Sequence, residues 1–467
     1  MIFDHKLAKL SLIFDHGSIN LKRIIDIHLK AWKREPKRKP VLIRGPRQVG
    51  KTFSVRRLGQ SFSSYIEINF EKQPELKKVF ELDLVPTRIV RDLMAILKKP
   101  IIPGETLLFL DEIQEAPRAI IALRYFYEEM PNLHVLAAGS LLDFAIQQVG
   151  VPVGRVSFLY LYPMSWLEFL KAHNNTILLE KIVNHKPEEP LGTPIHEHTL
   201  RLLSEYFAIG GMPEAVASWV ESKNPLACSE IHQTIIEAYR QDFHKYAKEQ
   251  QIKYVELMFE HGPKQLSQKF KYSAIPGEYR KRELSPAIEL LATAGIVHRV
   301  YHSSGQGIPL GSQANLDIFK MLFLDIGLTQ AILGLDFADW FLNAQNNFIN
   351  KGAVVESFVG QELLAYSNPH SKTSLYFWQR EERGSQAEID YLIQKQGQII
   401  PIEVKSDKGS HLKSMRIFLE SHPASTYGIR FSTHDYSILD NVYSYPLYAI
   451  HTALEVDTNS IADFIKE

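Results

Sequence analysis

The sequence has no net charge, one cysteine and no long apolar run, and each shortage closes off a class of protein. Its 53 Lys and Arg are balanced by 53 Asp and Glu, so any contact with nucleic acid has to come from a local patch rather than a global field. Cys228, alone, excludes an intrachain disulfide framework and any zinc site built on several cysteines. That usage suits a reducing cytoplasm, the expected location. No window reaches the ~18 consecutive apolar residues of a membrane span, so no membrane partner is expected. The opening residues, MIFDHKLAKLSLIFDHG, carry acids and no sustained apolar core, unlike a signal peptide. His196 with His198 and His298 with His302 find no third ligand nearby and read as surface or packing histidines.

What is present is a strand running into a phosphate-binding loop. Residues 41–53 read VLIRGPRQVGKTF, a full match to GxxxxGK[ST]. Gly45 and Gly50 let the backbone curl so that its N–H groups face an anion. The cradle is Gly45, Pro46, Arg47, Gln48, Val49, Gly50, Lys51, Thr52 and Phe53. Lys51 brings charge to the outer phosphates and the Thr52 hydroxyl suits Mg²⁺. The helix that follows directs its positive end at the same phosphates.

At 467 residues the prior is about three domains. Residues 1–40 read as one or two helices, with Leu21, Ile24, Ile25 and Leu29 on one face. From 41 to 163, apolar runs at 41–44, 65–70, 106–110, 134–138 and 156–161 alternate with helical patterns. That alternation predicts an α/β domain with a parallel sheet. The run TLLFLDE ends in Asp111 and Glu112, at the carboxyl end of a strand, where ligands of such sheets bind. Asp111 would hold Mg²⁺ and Glu112 would polarise the attacking water. Ser140 closes the fourth run, where a hydroxyl serves the phosphate or the water, or caps the next helix. Arg155 precedes the fifth, where it is either a phosphate sensor, in its own site or a neighbour's, or a surface ion pair.

Residues 164–248 read as a helical subdomain. Residues 249–335 give a short helix over 263–270, a longer one over 278–293, then strands at 295–301 and 321–324, a winged-helix order. Six bases lie between 264 and 283: Lys264, Lys269, Lys271, Arg280, Lys281 and Arg282. They form a patch able to meet DNA phosphates, or the solvated face of a packing domain.

Residues 351–438 read as a last α/β unit, followed by an extension over 439–467. Its helix, 353–365, carries Glu356 and Glu362. Strands 387–394 and 399–405 form a hairpin if the chain turns at Gln396-Gly397. Opposed residues then sum to 793 and Asp390 faces Glu403. Facing carboxylates repel at a spacing of ~4.5–5.5 Å, and a divalent cation, Mg²⁺ or Mn²⁺, would reverse that sign. With Lys405 on the same face this is the D…ExK arrangement of metal-dependent nucleases; an exposed ion-paired hairpin is the plainer reading.

GPRQVGKT, LLFLDEIQ, AAGS, the Gly154-Arg155 pair before YPMSWLEF, GGMPE and EID…IEVK occur in this order. On these motifs, over roughly residues 20–430, the chain resembles prokaryotic AAA+-like ATPases that join a P-loop domain to a restriction-endonuclease-like, PD-(D/E)xK, domain of unassigned function. The resemblance implies an ASCE-type core with Lys51, Thr52, Asp111, Glu112 and Ser140 at ATP and Arg155 as sensor. It also implies a winged helix and a nuclease-like core with Glu356, Asp390, Glu403 and Lys405. No distinct arginine of the helical subdomain matches a γ-phosphate sensor. Three functions fit: a Mg²⁺-dependent ATPase moving a region that grips DNA, as a monomer or an oligomer; a nucleotide-dependent switch on a protein partner; and an ATP-gated, metal-dependent endonuclease.

Overall fold

The five runs expected between residues 41 and 163 form one parallel sheet in the computed structural model, which describes residues 21–466 apart from 151, 153, 186–188, 336–337, 343, 381–386, 406–411 and 455–457. They are β1 (Val41–Arg44), β2 (Ser64–Asn69), β3 (Thr106–Asp111), β4 (His134–Ala138) and β5 (Ser157–Tyr160). Their spatial order is β2-β3-β4-β1-β5. Both β3 and β4 are buried along their whole length, as continuous apolarity requires of strands covered on two faces. Because every neighbouring pair is parallel, the loops after β1, β3 and β4 open on one edge. β4 is inserted between the other two.

One face of this sheet, with Leu42, Ile68, Leu108 and Val135, closes over its own core. The other, with Ile43, Leu107, Phe109 and Leu136, joins a core that continues through the rest of the chain. The expected N-terminal helices fall partly on residues 1–20, outside the described residues. The helix Ile25–Arg34 buries Ile25, Leu29 and Trp32, and Leu21 just before it is buried too, as the apolar stripe predicts. Helices Trp166–Ala172, Thr193–Ile209, Pro213–Ser222 and Pro225–Tyr246 stand where helical spacing puts them. Among the described residues no helix is long and apolar enough to cross a membrane.

Two expectations about domain organisation need correcting. The helix expected over 263–270 shrinks to a 3-10 turn, Gly262–Gln265. The chain then turns extended, and the Phe270 N–H donates to the Phe319 carbonyl at 2.8 Å. The expected wing, β6 (Val297–Ser303) and β7 (Ala314–Phe323), does not stand free. β6 pairs in parallel with β8 (Leu375–Gln379), Val300 opposite Leu375, so the hairpin joins the C-terminal sheet. Residues 249–335 and 351–438 thus contribute strands to one sheet.

That sheet continues through β9 (Glu388–Lys395), β10 (Gln398–Lys405), β11 (Gly428–Ser432), β12 (Ser437–Leu439) and β13 (Val442–Pro446). Its order is β12-β13-β11-β10-β9-β8-β6-β7. Residues 439–467 close this fold. They supply β13, the buried turn Leu447–Ala453 and the apolar face of Thr458–Lys466, with Ile461, Phe464 and Ile465 buried. Helix Gly352–Ala365 lies in the continuous core, and Lys413–Ser421 covers a separate cluster around Ile389, Leu392 and Phe418.

Candidate functional site

β1 delivers the phosphate loop to the carboxyl edge of the first sheet. Gly45 sits at φ +150 and Gly50 at φ +95. A Cβ on Gly45 would stand 2.2 Å from the Leu161 carbonyl oxygen, so only glycine fits there. Gly50, left-handed, starts the helix Lys51–Gly59. Val49 and Pro46 are buried, Arg47, Gln48, Thr52 and Phe53 half-buried. The Lys51 ammonium donates to the carbonyls of Gly45 at 2.9 Å and Pro46 at 2.7 Å. Burial pushes Lys51 down to about 8, against the charges of Glu112 and Asp111.

The acids of β3 meet this loop. The Thr52 hydroxyl lies 3.2 and 3.3 Å from the two Asp111 oxygens. Burial, then the neighbouring Glu112 charge, raises Asp111 to about 6. Asn69, its register partner at the end of β2, donates to it at 3.0 Å. Glu112 turns out of the strand at φ +49. Its Oε2 accepts from Gln114 at 2.7 Å and lies 3.4 Å from the Ser140 hydroxyl. Of the two readings of Ser140, the helix cap is not found, since Leu142–Val149 begins without a side-chain cap. Its hydroxyl turns to Glu112 instead.

Arg155 does not join them. It precedes β5, at the opposite edge of a parallel sheet, and pairs with Glu128 at 3.0 Å on the surface. As a sensor of its own nucleotide it is excluded by strand direction.

Sequence reasoning missed the supports behind the loop. Arg23 donates to the Val49 carbonyl at 2.7 Å and the Tyr162 carbonyl at 2.8 Å. Arg47 is held by Asp242 at 2.6 Å, and the Tyr239 hydroxyl donates to the Arg47 carbonyl at 2.7 Å. Asn69 was legible in part: it ends a strand that a parallel sheet brings beside the acids of β3.

The donor set fits Mg·ATP. Thr52 and Asp111 converge as a hard-oxygen pair, and the glycine conformations form the cradle into which Lys51 reaches. A bound Mg²⁺ would supply charge neutralisation at the phosphates; Glu112 and Ser140 stand together beside this pair, 3.4 Å apart.

The nuclease-like set is rearranged. The hairpin register is the expected one, Ile400 opposite Ile393 and Ile402 opposite Tyr391, with Gln396 and Gly397 both at positive φ in the turn. The ladder ends there, and Asp390 accepts from the Val404 N–H at 2.7 Å. Glu403 is buried and pairs with Lys405 at 2.8 Å. Glu356 and Asp390 turn to a different cation, Lys320 of β7, 2.8 and 3.8 Å away. Glu388 pairs with it as well. Among the described residues no group of three or more His, Cys, Asp or Glu is arranged to hold a metal. With Lys320 among them, the described carboxylates of this cluster offer no such group to the expected second metal. The signal for Lys320 was available: one lysine inside the apolar run FKMLFL.

All six bases of the patch, Lys264 to Arg282, are exposed; Lys281 pairs with Asp317 at 2.7 Å.

Residues 37–170 match the family model of an AAA domain. Residues 200–339 and 351–450 match two domains of unknown function, DUF8612 and DUF4143. No curated protein matches. Similar solved structures include the Walker-type ATPase PABY2304 of Pyrococcus abyssi (13% identity, 67% of this chain and 96% of that one, TM-score 0.42). Others are the ORC1 protein of Aeropyrum pernix in complex with DNA (14%, 67% and 92%, TM-score 0.27) and PCH-2 of C. elegans (14%, 43% and 61%, TM-score 0.23). The N-terminal sheet and its loop thus form a P-loop domain of AAA ATPase type.

Proposed function

We propose that this chain is a Mg²⁺-dependent ATPase whose nucleotide cycle moves its helical and C-terminal regions, with the bases between 264 and 282 meeting DNA phosphates. The observation that carries the reading is the approach of the Thr52 hydroxyl to Asp111 at 3.2 Å, beside a buried Lys51 and with Glu112 next in sequence. In that arrangement Lys51, Thr52 and Asp111 bind Mg·ATP, and Glu112, steered by Ser140, takes the proton of the attacking water.

Coupling is supported by a continuous polar chain behind the loop. Arg23, on the Val49 carbonyl, is ion-paired with Glu168 at 3.0 Å. Glu168 and Ser165 form the capping box of helix Trp166–Ala172. The Trp166 N–H donates to Glu362 at 3.1 Å and the Leu167 N–H to the Tyr366 hydroxyl at 3.2 Å. Glu362 lies on Gly352–Ala365, about 9 Å along that helix from Glu356. A shift at the phosphate loop has a buried, hydrogen-bonded route to the C-terminal sheet.

The test is ATP turnover of wild type and Glu112→Gln, with and without DNA. The substitution keeps nucleotide binding and lowers turnover by roughly 10²–10⁴-fold, the worth of a general base; equal turnover in both proteins rejects the mechanism. A second reading, a slow nucleotide switch for a protein partner, is favoured by the Gln114 bond that occupies one Glu112 oxygen. It predicts tight binding with little turnover and no response to DNA.

A further inference from the structure

The carboxylates of the C-terminal sheet have a cation already. Lys320 lies on β7 between buried Phe319 and Met321, is itself 2% exposed, and has its ammonium 5.2 Å from the centre of the Phe377 ring. It points at Glu356 from the helix Gly352–Ala365 and at Glu388 and Asp390 from β9. The ammonium thus meets the Glu356 and Glu388 carboxylates directly, with the Asp390 carboxylate 3.8 Å away as a third neighbouring charge, all carried by two elements. The helix is held at the same residue by β9 as well, because the Tyr391 hydroxyl donates to the Glu356 carbonyl at 2.9 Å. Burial alone would lower the Lys320 pKa, but the carboxylates outweigh it and hold the lysine charged.

We propose that Lys320 is the resident cation of this cluster and stands in the position a divalent metal would need. The module is then a lysine–carboxylate joint that locks β7 to the helix Gly352–Ala365 and β9, and not a hydrolytic metal centre. A doubly charged ion cannot share the site, since it would lie within a few ångströms of the buried ammonium and compete for the same oxygens. The carboxylates nevertheless keep the chemistry of a Mg²⁺ or Mn²⁺ site, so removing the lysine exposes a cation site of that class. This inference is independent of ATP hydrolysis and survives the failure of that reading.

The experiment uses the full chain without nucleotide and MnCl₂ as probe, followed by electron paramagnetic resonance and by thermal unfolding. Wild type is expected to show no saturable Mn²⁺ site that Asp390→Asn removes. Lys320→Ala gains one saturable site, which Asp390→Asn in the same background abolishes. Its Tm then climbs further with Mn²⁺ concentration than that of wild type, as binding to the native state alone requires. Lys320→Arg, which keeps the charge, behaves as wild type. An Asp390-dependent Mn²⁺ site in wild type overturns the proposal, and so does a folded Lys320→Ala that takes up no Mn²⁺. If Lys320→Ala fails to fold alone, recovery of its fold in Mn²⁺ supports the proposal and failure to recover overturns it.

Discussion

One Arg47 nitrogen donates to both oxygens of Asp242, at 2.6 and 2.7 Å, across 195 residues of sequence. Arg47 belongs to the phosphate loop and Asp242 to the helix Pro225–Tyr246, so the loop and the helical region share a charged contact. Asp242 is buried while Arg47 is a third exposed, and Lys245 also approaches Asp242 at 3.3 Å. Arg47→Ala leaves a buried carboxylate with only the lysine, and is expected to cost about 1–3 kcal/mol. A double-mutant cycle with Asp242→Ala, read by urea unfolding, returns a coupling of roughly 0.5–3 kcal/mol; additivity within about 0.5 kcal/mol means that the two do not act together.

Arg155 is the opposite case, a residue whose sequence position promised chemistry that its place in the sheet denies. Its partner is Glu128, and both side chains are substantially exposed, so the pair is worth less than ~1 kcal/mol. Arg155→Ala should leave stability within about 0.5 kcal/mol and leave ATP turnover unchanged in dilute protein. A loss that appears only as protein concentration rises reports an arginine supplied to a neighbouring copy. A loss of the same size at every concentration contradicts the geometry described here.

The first sheet was legible because its signals are local. Each strand is a short apolar run, and the loop residues are dictated by backbone curvature at Gly45 and Gly50. The register of β9 and β10 was legible because a two-residue turn at Gln396-Gly397 fixes it. The second sheet was not, because β6 and β8 pair in parallel across a long stretch of chain, and parallel pairing leaves no turn to read. The same gap hid Lys320, which belongs to one apparent domain and balances charges in another. Reasoning from Asp390 and Glu403 asked for a cation and looked to solution for it, when the protein itself supplies an ammonium to Asp390.

The exposed bases offer a test that depends on salt. Lys264, Lys269, Lys271, Arg280 and Arg282 are exposed beside the ion-paired Lys281. If they bind phosphates, DNA affinity falls steeply with salt, and each contact removed lowers the slope of log K against log salt by about 0.9 on duplex DNA. The double variant Lys269→Ala, Lys271→Ala should therefore reduce that slope by roughly 1.8 and weaken binding to all sequences alike. Fluorescence anisotropy across a salt series measures it. An unchanged slope would return the patch to the role of a solvated surface.

The buried Glu362 makes stability depend on pH in a direction opposite to that of an ordinary salt-bridged acid. Burial raises its carboxyl from 4.5 to about 8, against the Tyr366, Trp166 and Tyr206 hydrogen bonds. The folded chain then holds a proton that the unfolded chain releases, so stability falls as pH rises from about 4.5 to about 8 and levels off above. Asp111 and Asp325, both raised to about 6, add to the acid end of that slope. The part between pH 6 and 8 is where Glu362 is read most directly. Glu362→Gln keeps an acceptor for the Trp166 N–H and carries no titrating proton, so its Tm should decline less over that interval, by up to one proton's worth of slope. Thermal unfolding of both proteins from about pH 5 to pH 9 decides the matter. Parallel curves would mean that Glu362 is ionised in the folded chain and that its helix cap is a charged one.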